Sequence, residues 1–184
     1  MRLYLIRHPQ PDIAAGICYG ATDLPVTAEE LNRVLVSLQP NLPRRVPIFS
    51  SVLQRCALLA EQIASHCEHG SVTLDDRIVE MNFGRWEMQA WDHIARAEID
   101  AWAQDLVDYQ PGGGENVYQV AQRVTHFLHD LQQTGCEEAI VVCHAGTIRL
   151  LSAYSPALSS REIALQAAAA PHRIAYGAVV PIDF

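Results

Sequence analysis

Lysine is absent from all 184 residues, so the 13 basic side chains are all arginine. That absence excludes a Walker-type phosphate loop, Schiff-base catalysis and a serine–lysine dyad, each of which needs a primary amine. Cysteine is scarce. Cys18, Cys56, Cys67, Cys136 and Cys143 are odd in number and show no C-x-x-C spacing, so small buried thiols are expected rather than a disulfide framework or a zinc cage. Positive charge is also in deficit, with 13 basic against 21 acidic residues and a net charge of -8. A surface of that sign opposes a nucleic-acid backbone, and no nucleic-acid partner is expected. An acidic chain can still hold one phosphate, and arginine does so bidentately. No apolar run approaches the ~20 residues that span a bilayer, and the first strand starts at Arg2 without a signal-peptide pattern. A cytoplasmic location without a membrane partner is the expectation.

A hydrophobic content of 49% with 18% charged residues reads as globular, and no repeat, low-complexity run or long linker divides the chain. One domain over 1–184 is expected. Leu3-Tyr4-Leu5-Ile6-Arg7-His8 and Ala139-Ile140-Val141-Val142-Cys143-His144 are short β-branched or aromatic runs followed by turn formers, the pattern of buried parallel strands. Further strands are expected at 47–51, 71–74 and 175–182. Helices are expected after a capping-box start at Thr27 through about Leu38, over about 53–64, 87–107 and 115–133, from Ala145 or Gly146, and after Ser159. Pro9 to Pro25 reads as a loop. This alternation predicts an α/β fold, a three-layer α/β/α sandwich with a mainly parallel central sheet and room for one antiparallel strand. Trp91 and Trp102 are expected to pack a core.

Both strand-ending histidines fall at the carboxyl edge of such a sheet, where ligands bind. Arg7 lies beside His8, and Arg55 lies one turn into the helix after the second strand. His144 immediately precedes a helix N-terminus, so two guanidiniums and a helix dipole would favour a phosphate. A histidine with one nitrogen unprotonated can accept a phosphoryl group, a second can stabilise the transferring oxygens, and Glu80 is a candidate acid for the leaving group. Taken singly, each of these residues has an ordinary structural reading; together they favour a phosphate site. His66, His69, His93, His126 and His129 read as solvated or packed. His126 and His129 share a helix face without a third ligand at metal spacing, so no metal site is expected.

Taken in order, these motifs resemble the histidine phosphatase superfamily, also called phosphoglycerate mutase-like, over nearly the whole chain. Leu5-Ile6-Arg7-His8 is similar to its strand-ending R-H motif, and Ser50-Ser51-Val52-Leu53-Gln54-Arg55 to its S-S-x-L-x-R helix start. The acid-loop pattern resembles 80–87, Glu80 to Glu87. Gly113-Gly114-Glu115-Asn116 with Arg123-Val124, and then His144-Ala145-Gly146, complete the series. The resemblance implies that His8 attacks phosphorus, Glu80 protonates the leaving group, and water releases phosphate from His8, with no metal or other cofactor. It also implies that Arg7, Arg55 and His144 bind the phosphoryl oxygens while Gly20, Ala145 and Gly146 line the site.

The chain departs from the common pattern just after the nucleophile, with Pro9 for the usual glycine, Pro11 for a threonine and Ala14 near the place of an asparagine. Pro9 has no N–H, so a phosphate contact from that amide is lost. Met88 stands where the family often has glycine. The start through Pro11 and the stretch 16–25 look most like α-ribazole phosphatases, which remove the 5′-phosphate of α-ribazole 5′-phosphate during assembly of the cobalamin nucleotide loop. Tyr19 and Trp86 are positional candidates to receive an aromatic leaving group. A broad-specificity small-molecule phosphatase, a phosphoglycerate mutase and a non-catalytic phosphate-binding protein stay open as alternatives. A small-molecule phosphomonoester is the expected partner, and a homodimer is left open.

Overall fold

The computed structural model describes residues 1–66, 71–171 and 173–184, so Cys67 and His69 lie outside the described residues. Its five-stranded sheet has the order β3-β2-β4-β1-β5, with β1 at Arg2–Arg7, β2 at Ile48–Ser50, β3 at Val72–Leu74, β4 at Glu138–Cys143 and β5 at Val179–Asp183. The first four run parallel and β5 pairs antiparallel with β1. Alternate residues of each strand face opposite sides. Leu3, Leu5, Ala139, Val141 and Cys143 therefore enter one core, against α4 (Val117–Gln133), α5 (Ala145–Ala153) and α6 (Ser160–Ala169). Ile6, Ile48, Ile140 and Val142 enter the other, against α1 (Ala28–Leu38) and α2 (Gln54–His66). The result is the expected α/β/α sandwich. Each buried Leu or Ile contributes roughly 1.5–3 kcal/mol, enough in number to offset the buried polar groups at the sheet edge.

The chain leaves β1 toward helices on one face and leaves β4 toward helices on the other. Since β1 and β4 are neighbours, a crevice opens between them at their carboxyl ends.

Capping largely follows the sequence. Ser159 and Glu162 form a reciprocal capping box, and the helix expected from Glu115 starts one residue after its true cap, Asn116, which pairs with Gln119 in the same way. Thr27 accepts from the Glu30 amide, but the Glu30 carboxylate turns to Arg33 and the Gln10 amide, so only half of that box forms. Among the described cysteines, Cys18, Cys56, Cys136 and Cys143 are free thiols. No described helix is long and apolar enough to cross a membrane.

Two expectations fail. The stretch 87–107 is not one helix: a short turn at Trp91–His93 precedes α3 (Arg96–Gln104). Its first residues pair instead with the 16–18 loop, through Met88 N–H to Cys18 O, Cys18 N–H to Gln89 O and Trp91 N–H to Gly16 O, each 2.8–2.9 Å. Long-range backbone pairing has overridden a helical period. The last strand also starts later than expected, at Val179, because Gly177 turns the chain with a φ of 72°.

Candidate active site

Strand register assembles the two histidines. Arg7 is paired with Cys143 across the β1–β4 ladder, so the residues that follow, His8 and His144, leave neighbouring strands side by side. His8 N–H donates to Cys143 O at 3.0 Å, and the two rings lie 5.0 Å apart between centroids. Both are buried, His8 at 2% exposure and His144 at 0%. His8 Nδ1 lies 2.7 Å from Pro9 O, a carbonyl that can only accept. Nδ1 therefore carries the proton, which leaves Nε2 with a free lone pair. Burial lowers the His8 pKa to about 3, and the charges of Arg55 and Arg7 act in the same direction, against the Pro9 bond. His144 is also held well below the ordinary range, by burial first and then by His8 and nearby arginines. Its Nε2 meets Ser51 Oγ at 2.9 Å.

The arginines are fixed by different means. Arg7 donates through Nη1 to Ile174 O at 2.5 Å, and its guanidinium lies 3.8 Å from the Tyr176 ring centroid. Arg55 projects from the first turn of α2, is fully buried, and donates to Thr22 O at 2.7 Å and Gly20 O at 2.5 Å. The Nε atoms of both are buried without a hydrogen-bond partner. A buried unpaired donor is costly, and two of them on the cations nearest His8 suit an anion. The fit with a phosphoryl group rests on these two atoms.

Glu80 faces the same crevice. Its oxygens accept from Met81 N–H at 3.0 Å and from Gly146 N–H at 3.1 Å, so it is tied to the N-terminus of α5. A β-carbon at Gly146 would collide with Glu80 Oε1, which explains the glycine. Arg123 braces the loop from behind, donating to Arg77 O, Val79 O and Glu80 O while its other edge is held by both oxygens of Glu115. Glu87 binds the Ala21, Thr22 and Phe83 amides and thereby joins the Gly20 turn to the acid loop.

A cavity of about 320 Å³ begins at Arg7, His8, Tyr19, Glu80, Ala145 and Gly146. Its far wall is apolar, formed by Phe83, Trp91, Trp102, Leu106, Val117 and Val120, among others. Arg55, His144 and Gly20 do not line it. The first two are fully buried near His8, and Gly20 is buried, a β-carbon there meeting Met81 O and the Phe83 ring. Gly20, expected to line the site, thus does not border this cavity, and its carbonyl accepts from Arg55.

The aromatic expectations partly reverse. Trp102 packs against two core clusters as expected, but it and Trp91 also line the cavity, with rings nearly parallel at 6.2 Å and Phe83 edge-on to both. Trp86 is 1% exposed, in the core behind them, its indole N–H on Glu98. Sequence reasoning also missed Ser51 as a partner of His144, and Tyr176, which nothing near it in the sequence marks as belonging to the site.

A model described as the histidine phosphatase superfamily (branch 1) matches residues 3–170. The chain belongs to that superfamily. This histidine phosphatase is 27% identical over 161 residues to the adenosylcobalamin/alpha-ribazole phosphatase of Salmonella typhimurium, covering 83% of this chain and 78% of that one. It is 26% identical over 148 residues to phosphoserine phosphatase 1 of Hydrogenobacter thermophilus, covering 77% and 69%. Among solved structures, the alpha-ribazole phosphatase of Shigella flexneri superposes with a TM-score of 0.80 at 26% identity, covering 100% of this chain and 90% of that one. Membership and these relatives support a phosphatase activity, and the neighbour shares the mostly parallel sheet.

Proposed function

We propose that this histidine phosphatase hydrolyses phosphomonoesters through a phosphohistidine at His8, and that its physiological substrate is α-ribazole 5′-phosphate in the assembly of the cobalamin nucleotide loop. His8 Nε2 attacks phosphorus, forming the N–P bond as the ester P–O bond breaks, and Glu80 gives the leaving oxygen its proton. In the second step Glu80 takes a proton from water as that water attacks the phosphohistidine, releasing inorganic phosphate and restoring neutral His8. Arg7, Arg55 and His144 stabilise the transferring oxygens, with the backbone at Ala145 and Gly146 at the edge of the site. The reaction needs no metal and no cofactor.

The observation that carries this reading is the cavity's polarity, with His8, Arg7 and Glu80 at one end and an aromatic wall at the other. A planar heteroaromatic leaving group matches that wall better than a compact charged one. Arg149 also borders the cavity, but its guanidinium is engaged by the Ala167, Ala168 and Ala170 carbonyls that end α6, which does not favour a leaving group bearing a carboxylate such as phosphoserine. A broad-specificity phosphatase would use the same chemistry with a less selective wall.

The test is phosphate release in EDTA from α-ribazole 5′-phosphate beside a generic aryl phosphate, for the wild type and His8→Ala. The expected result is preference for the ribazole ester, abolished in the variant. Activity on the aryl ester alone would keep the mechanism and reject the substrate, and no activity on either would reject both.

A further inference from the structure

Two tyrosines from distant parts of the chain meet beside the nucleophile. Tyr19, in the loop after β1, and Tyr176, in the turn before β5, place their hydroxyls 2.7 Å apart. Tyr19 lines the cavity with Arg7 and His8, and Arg55 stands 5.6 Å from its ring. Tyr176 lies under the Arg7 guanidinium, with its ring 5.6 Å from that of His8. Both segments are anchored independently: the Gly20–Thr22 turn by Glu87 and Arg55, and the Tyr176 turn by Arg7 through Ile174 O and by Gly177 N–H to Arg7 O. The hydroxyls thus meet in a frame that does not depend on their own bond.

Two hydroxyls in one O–H···O contact use one proton between them. Among the described residues neither has another hydrogen-bond partner, so the second proton is available, and Tyr19 is the member that faces the cavity. The residue after the nucleophile supplies no amide donor, because Pro9 has no N–H. Resting on the phosphate site proposed above, we infer that Tyr19 donates its hydroxyl proton to a phosphoryl oxygen, with Tyr176 as the positioning residue that donates into Tyr19. Burial and the bond to Tyr176 hold the Tyr19 phenol above its ordinary range despite Arg7 and Arg55. At neutral pH it is a neutral donor, so it adds no repulsion toward an anionic phosphoryl group.

Orthovanadate, which mimics the phosphoryl group in transfer, reads this contact without turnover. Its affinity is measured by calorimetry for the wild type, Tyr19→Phe, Tyr176→Phe and the double variant, with thermal melting alongside. Phenylalanine keeps both rings and the stacking on Arg7. Tyr19→Phe should weaken vanadate about tenfold, the scale of a hydrogen bond to a charged acceptor. Tyr176→Phe should weaken it less, and the double variant should match Tyr19→Phe, because Tyr176 acts only through Tyr19. Unchanged vanadate affinity in Tyr19→Phe, with or without a lower melting temperature, would overturn the inference and reduce the pair to a tie between loops. A wild type that binds no vanadate would remove the phosphate site itself, and this inference with it.

Discussion

The two ends of the cavity are built in different ways. The His8 end hangs from the paired ends of β1 and β4, so its spacing follows from sheet register and from two cores packed on either side. The Trp91–Trp102 end is a small aromatic cluster on turns and one nine-residue helix, held by backbone pairing to the 16–18 loop and by ring contacts. On the proposed function, the nucleophile and the phosphate ligands are attached to the regular part of the fold, and the acid and the leaving-group contact to its loops and turns. The wall can change without moving the nucleophile, which is how one fold can serve many esters.

If this division is right, loss of His8 or Arg55 should damage turnover of every ester alike, whereas loss of Glu80, on its loop, should scale with the leaving group's need for a proton. His8→Ala should lower kcat by about 10⁴-fold or more on all substrates and abolish acid-labile phosphoenzyme, since His8 carries the phosphoryl group in the proposed mechanism. Appreciable burst phosphorylation in that variant would move the nucleophile elsewhere. Glu80→Gln should slow an alkyl phosphate by about 10²-fold and nitrophenyl phosphate much less, because nitrophenolate leaves without a proton. Equal losses on the two esters would remove Glu80 as the acid. Arg55→Ala should cost about 2 kcal/mol of transition-state stabilisation, close to 30-fold in kcat/KM, irrespective of the leaving group. A near-normal rate would show that its buried Nε does not serve the phosphoryl group.

The same division explains what could be read from the sequence. The strands around His8 and His144 were legible because a buried parallel strand is a continuous apolar run, and a polar residue at its end has few places to go. The juxtaposition of Arg55 with His8 followed from its place one turn into the helix after β2. The path of 87–107 is not legible, because Trp91 and Trp102 recur at an interval that a continuous helix would also give. What decides its path is pairing of residues 88–91 with residues 16–18, a contact between positions some seventy apart that leaves no local signal. Tyr176 escaped notice for a similar reason: its partners Tyr19, Arg7 and His8 are all more than 150 positions away.

At the wall, Trp91→Ala should act on selectivity. Trp91 is 36% exposed and contributes one face of a parallel ring pair, so its loss removes stacking area without opening the main cores. The ratio of kcat/KM for a bicyclic aryl phosphate to that for glycerol phosphate should fall about fivefold, the value of one aromatic contact. A ratio that does not change would mean that the leaving group lies elsewhere, and the comparison between the two ends would fail.

The smallest effect concerns strain in the frame of that wall. Arg45 and Met88 are the described non-glycine residues with a left-handed backbone, and neither is on the catalytic edge. Met88, with a φ of 64°, stands where the superfamily often has glycine, and its side chain is 51% exposed, so little packing offsets the strained backbone. Met88→Gly relieves about 1 kcal/mol or slightly more in the folded state. It also enlarges the freedom of the unfolded chain, which returns roughly half of that gain. The net expectation is a stabilisation of about 0.5 kcal/mol, read as a melting temperature higher by about 1–2 °C. The Met88 N–H bond to Cys18 O survives in glycine, so the 16–18 pairing should persist. A lower melting temperature would show that the methionine side chain holds the turn in place, and that the wall depends on packing at its outer edge rather than on backbone pairing.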